Sequence, residues 1–285
     1  MQKYKLLKIK FITLLSVLFF LLNANSIEKP KLTVSFFILE NIIFEIAKNE
    51  FTINVLISPK DDPHEFDLSP KQLIEIKKSD YFFYVNNNFE PWVDKLKPQL
   101  THSQFGTQLL NSKNDSHFWL NQDLLLSVID KIQLQLSKLN SSKKEIFEKN
   151  ALQYKSKITL LFNKYKSTAS LNINKKCYLV TPHGGYKYLA EFFNLNDYPL
   201  FSSTNETGGA SGKNLISKIT FLKKQTCVKL VNENSHLQNN FDIIIKELPF
   251  QKSTETLWGD EFENFQTTPT LLQIIEHNLK IISLI

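Results

Sequence analysis

The sequence predicts an α/β fold of two lobes, each a parallel sheet with helices on its faces, joined by one long helix. Three features carry this expectation. From Lys31, apolar strand-like runs alternate with amphipathic segments in β-α-β-α-β order, which builds parallel sheets. The same alternation restarts at Cys177. Between the two, an apolar stripe at helical spacing runs from about Ser142 to Thr168.

In the first lobe, Leu32 to Phe37 reads as a strand, and Leu39, Ile42, Ile43 and Ile46 mark the helix after it. Phe51 to Ile57 is a second strand, leading into Asp61-Asp62-Pro63-His64-Glu65-Phe66. Ser69-Pro70 opens a helix as N-cap and first-turn proline, with Leu73, Ile74 and Ile76 on its apolar face. Asp80 to Val85 is a third strand, Asn86 to Asn88 a turn, and Phe89-Glu90-Pro91-Trp92 begins another helical piece. Pro98 to Asn114 is polar and reads as a surface loop, with His102 solvated inside it. After Asp115-Ser116-His117-Phe118-Trp119, the series Leu124, Leu125, Val128, Ile132, Leu136 and Leu139 predicts a helix broken at Asn140.

Ser142 and Glu145 make a capping-box start for the long helix, with Phe147, Ala151, Tyr154, Ile158, Leu161 and Tyr165 as its stripe. Such a helix spans about 40 Å and suits a strut between halves, with a plain surface helix as the alternative. In the second lobe, Cys177 to Thr181 is a strand running into Pro182-His183-Gly184-Gly185 and a helix through Tyr188, Leu189 and Phe192. Leu200 to Thr204, Cys227 to Val231 and Phe241 to Ile245 are expected strands. Asn205 to Gly212 lacks the Lys-Ser/Thr of a phosphate loop and reads as a turn into a helix. Thr268-Pro269 opens a closing helix to Ile285. The boundaries are a leader at 1–26, a first lobe at 27–140, the linking helix at 141–170 and a second lobe at 171–285.

Composition narrows the function. Hydrophobic residues at 42% and charged residues at 22% are those of a globular chain. Every basic residue is Lys, so the bidentate guanidinium contacts of phosphate and base recognition are missing. Of the net charge of +6, four lysines (Lys3, Lys5, Lys8, Lys10) precede the apolar run Phe11 to Leu22, so removing the leader leaves 6 − 4 = +2. A near-neutral protein gives no electrostatic case for nucleic acid.

That apolar run is shorter than the roughly 20 residues of a membrane span, and Ala24-Asn25-Ser26 follows it, as in a cleavable signal peptide. An uncleaved anchor is the alternative, and no Cys near the junction offers a lipid attachment. The only two cysteines, Cys177 and Cys227, lie in strand-like runs of one lobe. If those strands are neighbours, export permits a disulfide; otherwise both are small buried thiols.

His64 and His183 each follow a strand and a Pro, and His117 directly precedes Phe-Trp and a helix. Zinc favours imidazole nitrogen in tetrahedral geometry, and three such residues could hold it if the fold gathers their loops at one sheet edge. His236 lies in a polar turn and His277 on a helix, and both are left outside the site. Asp62 and Asp115 could orient the neighbouring imidazoles or simply cap turns, the turn being preferred. Trp92 and Trp119 read as core.

Asp62-Pro63-His64-Glu65-Phe66, Ser69-Pro70, Ser79-Asp80-Tyr81-Phe82-Phe83-Tyr84 and Glu90-Pro91-Trp92 resemble the first lobe of metal-specific solute-binding proteins of bacterial ABC transporters, the zinc and manganese branch (cluster A-I). Asp115-Ser116-His117-Phe118-Trp119-Leu120 is similar to that family's second ligand segment. His183-Gly184-Gly185-Tyr186-Lys187-Tyr188-Leu189 with Phe193-Asn194-Leu195 is similar to its third. The resemblance runs from about Lys31 to the C-terminus. It implies two Rossmann-like lobes on a rigid helix, a metal in the cleft between them, and little hinge motion.

It further implies Zn²⁺ over Mn²⁺, because His183 stands where the manganese branch carries Glu; imidazole-rich sites suit zinc. The family's acidic Asp-Pro-Leu-Gly segment corresponds best to Glu247-Leu248-Pro249-Phe250, making Glu247 the expected fourth ligand, with Glu65 or water as the alternative. Relatives with a Cys resembling Cys227 pair it with one near the C-terminus, and here only Cys177 is at hand. The expected role is a monomeric periplasmic protein, not an enzyme, delivering Zn²⁺ to an inner-membrane ABC permease, with no small organic substrate. A manganese-binding homologue, a secreted zinc hydrolase and a scaffold that has lost its metal are the alternatives.

Overall fold

A computed structural model describes residues 28–96, 98, 100, 108–111, 115–171, 177–201, 212–262 and 265–285. The proposed leader, His102 and most of the glycine-rich loop at 205–211 lie outside the described residues.

Two all-parallel sheets form the frame. In the first, β1 (Lys31–Phe36) lies between β2 (Thr52–Ile57) and β3 (Tyr81–Phe83), in the order β2-β1-β3. All of β1 after Lys31 is buried, as expected of a central parallel strand covered on both faces. Helix α1 (Phe37–Ala47) follows β1 without a break, and α2 (Pro70–Lys78) follows β2. Ser69 caps α2 through a reciprocal capping box with Gln72, and Pro70 occupies the first turn. After β3 come the short α3 (Val93–Leu96), a 3₁₀ turn at Phe118–Leu120 and α4 (Gln122–Leu139), which Asn121 caps by accepting from Leu124 N–H.

Helix α5 (Lys144–Leu171) has 28 residues and so spans about 42 Å. A 3₁₀ turn at Ser141–Lys143 precedes it, and Ser142 Oγ donates to Asn140 Oδ1, so the expected capping box is replaced by a local turn. Phe147, Ala151, Tyr154, Ile158, Phe162 and Tyr165 are buried on α5. Phe162 takes the position expected of Leu161, which is only half-buried. Helix α5 packs on α4, on α1 and on the C-terminal α9 (Leu271–Leu284).

The second sheet has the order β5-β4-β6-β7: β4 (Tyr178–Val180), β5 (Asn196–Asp197), β6 (Val228–Glu233) and β7 (Lys252–Leu257). Helices α6 (Lys187–Phe192), α7 (Gly212–Leu222) and α8 (Gln238–Ile244) connect them. Two expectations are corrected here, and one strand is added. Phe241 to Ile245 is helix and 3₁₀ turn, because Phe241, Ile245 and Leu248 face one core at spacings of four and three. Leu200 and Phe201 are not in a strand; the edge strand is β5 instead. Strand β7 escaped sequence reading because its KSTETL run, at the other edge, is polar and half-exposed.

One apolar cluster runs through both lobes, from Leu32 and Ile42 through Ile132 and Ile158 to Leu179, Tyr186 and Ile275. Helix α9 closes it: Thr270 caps this helix in a capping box with Gln273, and Leu271 N–H donates to Asn41 Oδ1 on α1.

Cys177 and Cys227 form a disulfide. They sit just before β4 and β6, which pair in parallel, and Tyr178 N–H donates to Cys227 O at 3.0 Å. The bond joins residues 50 apart, for which loop closure accounts for about 4 kcal/mol. Replacing both cysteines by Ser should therefore lower stability by roughly 3–4 kcal/mol. Urea unfolding of the two proteins measures this, and an unchanged midpoint would contradict it.

Candidate metal centre

Three loops at the carboxyl ends of parallel strands, where ligands collect in open α/β sheets, converge between the lobes with the segment before the 3₁₀ turn. The loop after β2 brings His64. Its turn is held by Asp62 Oδ1, which accepts from His64 N–H at 2.8 Å. His117 ends the segment before the 3₁₀ turn. Asp115 Oδ1 accepts from its backbone N–H at 2.9 Å and stands 2.7 Å from its ring Nδ1. Asp115 thus caps a turn and orients a ring at once, whereas Asp62 caps only the turn.

The loop after β4 brings His183, whose carbonyl accepts from Thr181 Oγ1. Glu233, the last residue of β6, lies 2.9 Å from His183 Nδ1 through Oε1 and accepts from His183 N–H through Oε2. Tyr186 Oη donates to the same Oε1 at 2.9 Å. The loop after β7 brings Asp260. Buried Asn278 on α9 fixes this loop by exchanging two hydrogen bonds with the Trp258 backbone, and Phe262 N–H reaches Pro59 O in the first lobe.

The three imidazole rings form an equal-sided triangle, each pair of centroids 5.4 Å apart. One donor atom each from His64, His117, His183 and Asp260 lie within 4.8 Å of one another. Asp260 Oδ2 stands 3.3 Å from His64 Nε2 and 3.6 Å from His117 Nε2. A tetrahedral ion with bonds of about 2.0–2.1 Å needs its donors about 3.3 Å apart. The three Nε2 atoms and Asp260 Oδ2 are all buried without a hydrogen-bond partner. Leaving such groups unpaired costs about 1–3 kcal/mol each, and the four together could hold one shared cation.

Glycines make the approach possible. A Cβ on Gly185 would stand 3.1 Å from both the His117 and His183 rings. A Cβ on Gly259 would stand 2.7 Å from Glu233 Oε1 and 3.1 Å from Tyr186 Oη. Phe89 meets the His64 ring edge-on at 4.9 Å, and buried Trp119 lies 5.2 Å from His117, so the core tryptophan also walls the site.

Burial alone would depress the basicity of these rings, but the adjacent carboxylates reverse it. Asp115 and Asp260 hold the His117 pKa up to about 9, and Glu233 with Asp260 holds His183 up to about 10. Asp260 stays well below the usual carboxylate range despite its burial, held there by His117 and His64. Carboxylates on the Nδ1 side direct Nε2 of His117 and His183 towards the common centre.

The two acidic residues expected as a fourth ligand lie elsewhere. Glu247 ends the 3₁₀ turn Ile245–Glu247 with its side chain 70% exposed, 3.9 Å from Lys223 Nζ. Glu65 is exposed on the outer side of its turn, beside Asp62 and His236. Asp260 stands in their place, and Glu233 was also missed. The signals were there: Glu233 ends an apolar run, and Trp258-Gly259-Asp260 ends a run with weak strand alternation. His277 stacks on Trp258 at 3.8 Å and contacts Thr256 O through Nε2, a structural role.

The family described as zinc-uptake complex component A, periplasmic (ZnuA), matches residues 32–284. The zinc-binding lipoprotein AdcA of Streptococcus pneumoniae serotype 4 is 25% identical over 284 residues, covering 88% of this chain and 55% of the relative. The chain thus spans about half the length of that relative. The high-affinity zinc uptake system protein ZnuA of Bacillus subtilis is 24% identical over 230 residues, covering 72% of this chain and 70% of the relative. Among solved structures, the periplasmic zinc-binding protein TroA of Treponema pallidum superposes with a TM-score of 0.78 at 16% identity, covering 90% of this chain and 98% of TroA. That likeness concerns the fold. With two parallel sheets, a long linking helix and a family match over nearly all the described residues, this chain belongs to the ZnuA family of periplasmic zinc-uptake components.

Proposed function

We propose that this protein captures a zinc ion outside the cytoplasmic membrane and passes it to an ABC-type permease, with His64, His117, His183 and Asp260 as ligands. The observation that carries the reading is the meeting of three buried imidazole nitrogens and one carboxylate oxygen that have no other partner. Three nitrogens and a single oxygen suit Zn²⁺ better than Mn²⁺, which prefers oxygen-rich sets. Relatives named as zinc-binding and as a metal ABC transporter substrate-binding lipoprotein agree with it. The reading includes a cleavable leader at 1–26, lobes at 27–140 and 171–285 with a linking helix at 141–170, a periplasmic location and a monomer.

Four protein donors fill a tetrahedron and leave no position for an activated water, so the arrangement suits carriage and not hydrolysis. The family is one of transport components and not of enzymes. Glu65, the acidic residue beside a ligand that could have served as a base, is exposed and is not among the four donors that converge.

The direct test is metal analysis of protein purified without chelator, followed by Zn²⁺ and Mn²⁺ competition. One equivalent of zinc that excess manganese does not displace is expected. His64→Ala, His117→Ala, His183→Ala and Asp260→Asn should each weaken zinc binding by at least about 100-fold. Calorimetric affinities that stay at the parent value in all four would refute the site.

The pH dependence has a definite sign. In the metal-free protein His117 and His183 keep their protons at neutral pH, since their pKa values are about 9 and about 10. An arriving ion must expel both, so close to two protons should be released per zinc at pH 7.5, and affinity should rise with pH up to about 10. Titrations in buffers of different ionisation enthalpy measure the released protons, and zero release would contradict the ring–carboxylate pairing. Without metal the linkage runs the other way. Both folded pKa values lie above the unfolded value of about 6.5, so their stabilisation is complete below pH 6.5 and is lost as pH rises through 9 to 10. Thermal unfolding of the metal-free protein should accordingly move to lower temperature across that interval.

A further inference from the structure

Each histidine of the buried centre has a carboxylate on its own backbone. Asp62 accepts from His64 N–H, Asp115 from His117 N–H and Glu233 from His183 N–H. For Asp260 the hold comes from another residue type and from another element. Asn278 on α9 is 0% exposed and meets the backbone of Trp258, two residues before the ligand. Its Oδ1 accepts from Trp258 N–H at 2.8 Å, and its Nδ2 donates to Trp258 O at 2.7 Å.

A side-chain amide is matched to this task. It sets an acceptor beside a donor, the complement of the N–H and C=O of a single residue. An aliphatic side chain of the same size would leave both backbone groups unpaired. A carboxylate would set oxygen against the Trp258 carbonyl oxygen. His277, the neighbour of Asn278, adds a second grip. Its ring stacks on Trp258 with centroids 3.8 Å apart, and its Nε2 donates to Thr256 O at 2.8 Å. On the far side of the ligand, Asn234 Nδ2 donates to Glu261 O, and Phe262 N–H donates to Pro59 O in the His64 loop. Asp260 therefore sits in a short span fastened at both ends.

The fastenings reach across the molecule. Helix α9 packs on α5 and α1 as well as on β7, and Leu271 N–H ties it to Asn41 of α1. The Asp260 loop leaves the second sheet, yet two of its anchors, Asn278 and Pro59, connect it to the first lobe. His64 and His117 come from that lobe, and Asp260 Oδ2 stands 3.3 Å and 3.6 Å from their Nε2 atoms. With metal bonds of about 2.0–2.1 Å, a loop displaced by about 1 Å would carry this oxygen out of bonding range.

On the reading of Asp260 as a zinc ligand, from which this follows, we infer that Asn278 positions that carboxylate. Through Trp258 it sets where Asp260 Oδ2 stands relative to the first-lobe imidazoles, and so it sets zinc affinity without touching the ion.

The experiment measures zinc affinity of the full chain by competition with a chromogenic chelator. The proteins are the parent, Asn278→Ala, Asp260→Ala, His64→Ala, and Asn278→Ala combined with each of the other two. Asn278→Ala should weaken zinc binding by about tenfold or more. Added to Asp260→Ala it should cost less than about twofold, because the group it places is already gone; added to His64→Ala it should cost its full factor. Leu271→Ala, buried on α9 about two turns earlier, controls for damage to the helix. It should lower the urea midpoint and leave zinc affinity within about twofold of the parent. The visible spectrum of the cobalt(II)-loaded protein reports the donor set directly: Asn278→Ala should alter it as Asp260→Ala does, and Leu271→Ala should leave it in the parent form. If circular dichroism shows Asn278→Ala unfolded, Asn278→Leu keeps the volume and goes through the same cycle. Parent affinity in Asp260→Ala would remove the ligand assignment itself. With Asp260→Ala weakened, three results would each overturn the role of Asn278: parent affinity in its folded variant, a loss that adds in full to that of Asp260→Ala, or an equal loss in Leu271→Ala.

Discussion

Four polar atoms buried together without partners set the terms for the rest of this molecule. Each of the three Nε2 nitrogens and Asp260 Oδ2 would be better solvated in water, and a protein interior tolerates such a group only when something answers it. Carboxylates answer the Nδ1 side of two rings: Asp115 for His117 and Glu233 for His183. The near side, where the three Nε2 atoms and Asp260 Oδ2 face one another, is where a bound cation would answer them. The surrounding architecture serves to hold these atoms close against their tendency to separate.

Parallel sheets do most of that work, because the loops leaving their carboxyl ends emerge on one edge. The turn after β2, the Pro182-His183 step after β4, the end of β6 and the Trp258-Gly259-Asp260 step after β7 all reach this edge. Two glycines then ease the close approach: a Cβ would crowd two imidazoles at Gly185 and would collide with the Glu233 carboxylate at Gly259. The disulfide before β4 and β6 fixes the spacing of the strands that deliver His183 and Glu233. Position in this site is thus inherited from strand pairing and not from the loops themselves.

Much of this was legible in the chain before folding was considered. The apolar runs of β1 and β4, the Ser69-Pro70 cap and the stripe of α5 follow from local physics, and each has one dominant signal. The three histidines share contexts that suggest a common edge. What escaped reading was polar or had the wrong period. Strand β7 hides in KSTETL, whose polar alternation fits an edge as well as a loop. The consecutive isoleucines of α8 have strand composition but bury at helical intervals. Asp260 follows a strand without an apolar signature, whereas Glu247, in the segment that resembles the family's acidic one, lies in a 3₁₀ turn. A sequence names donors readily; which carboxylate arrives is settled by strand order, a long-range property.

Helix α9 carries one more consequence. It packs on α5 and is pinned to Asn41 of α1, 230 residues earlier in the chain. Its Ile274, Ile275 and Ile282 belong to the same apolar cluster as Leu32 and Val34. The interior of the first lobe is therefore sealed by a segment remote from it along the polypeptide. Such distant pairing raises the contact order and should slow folding, because a very long loop must close before its contacts reward it.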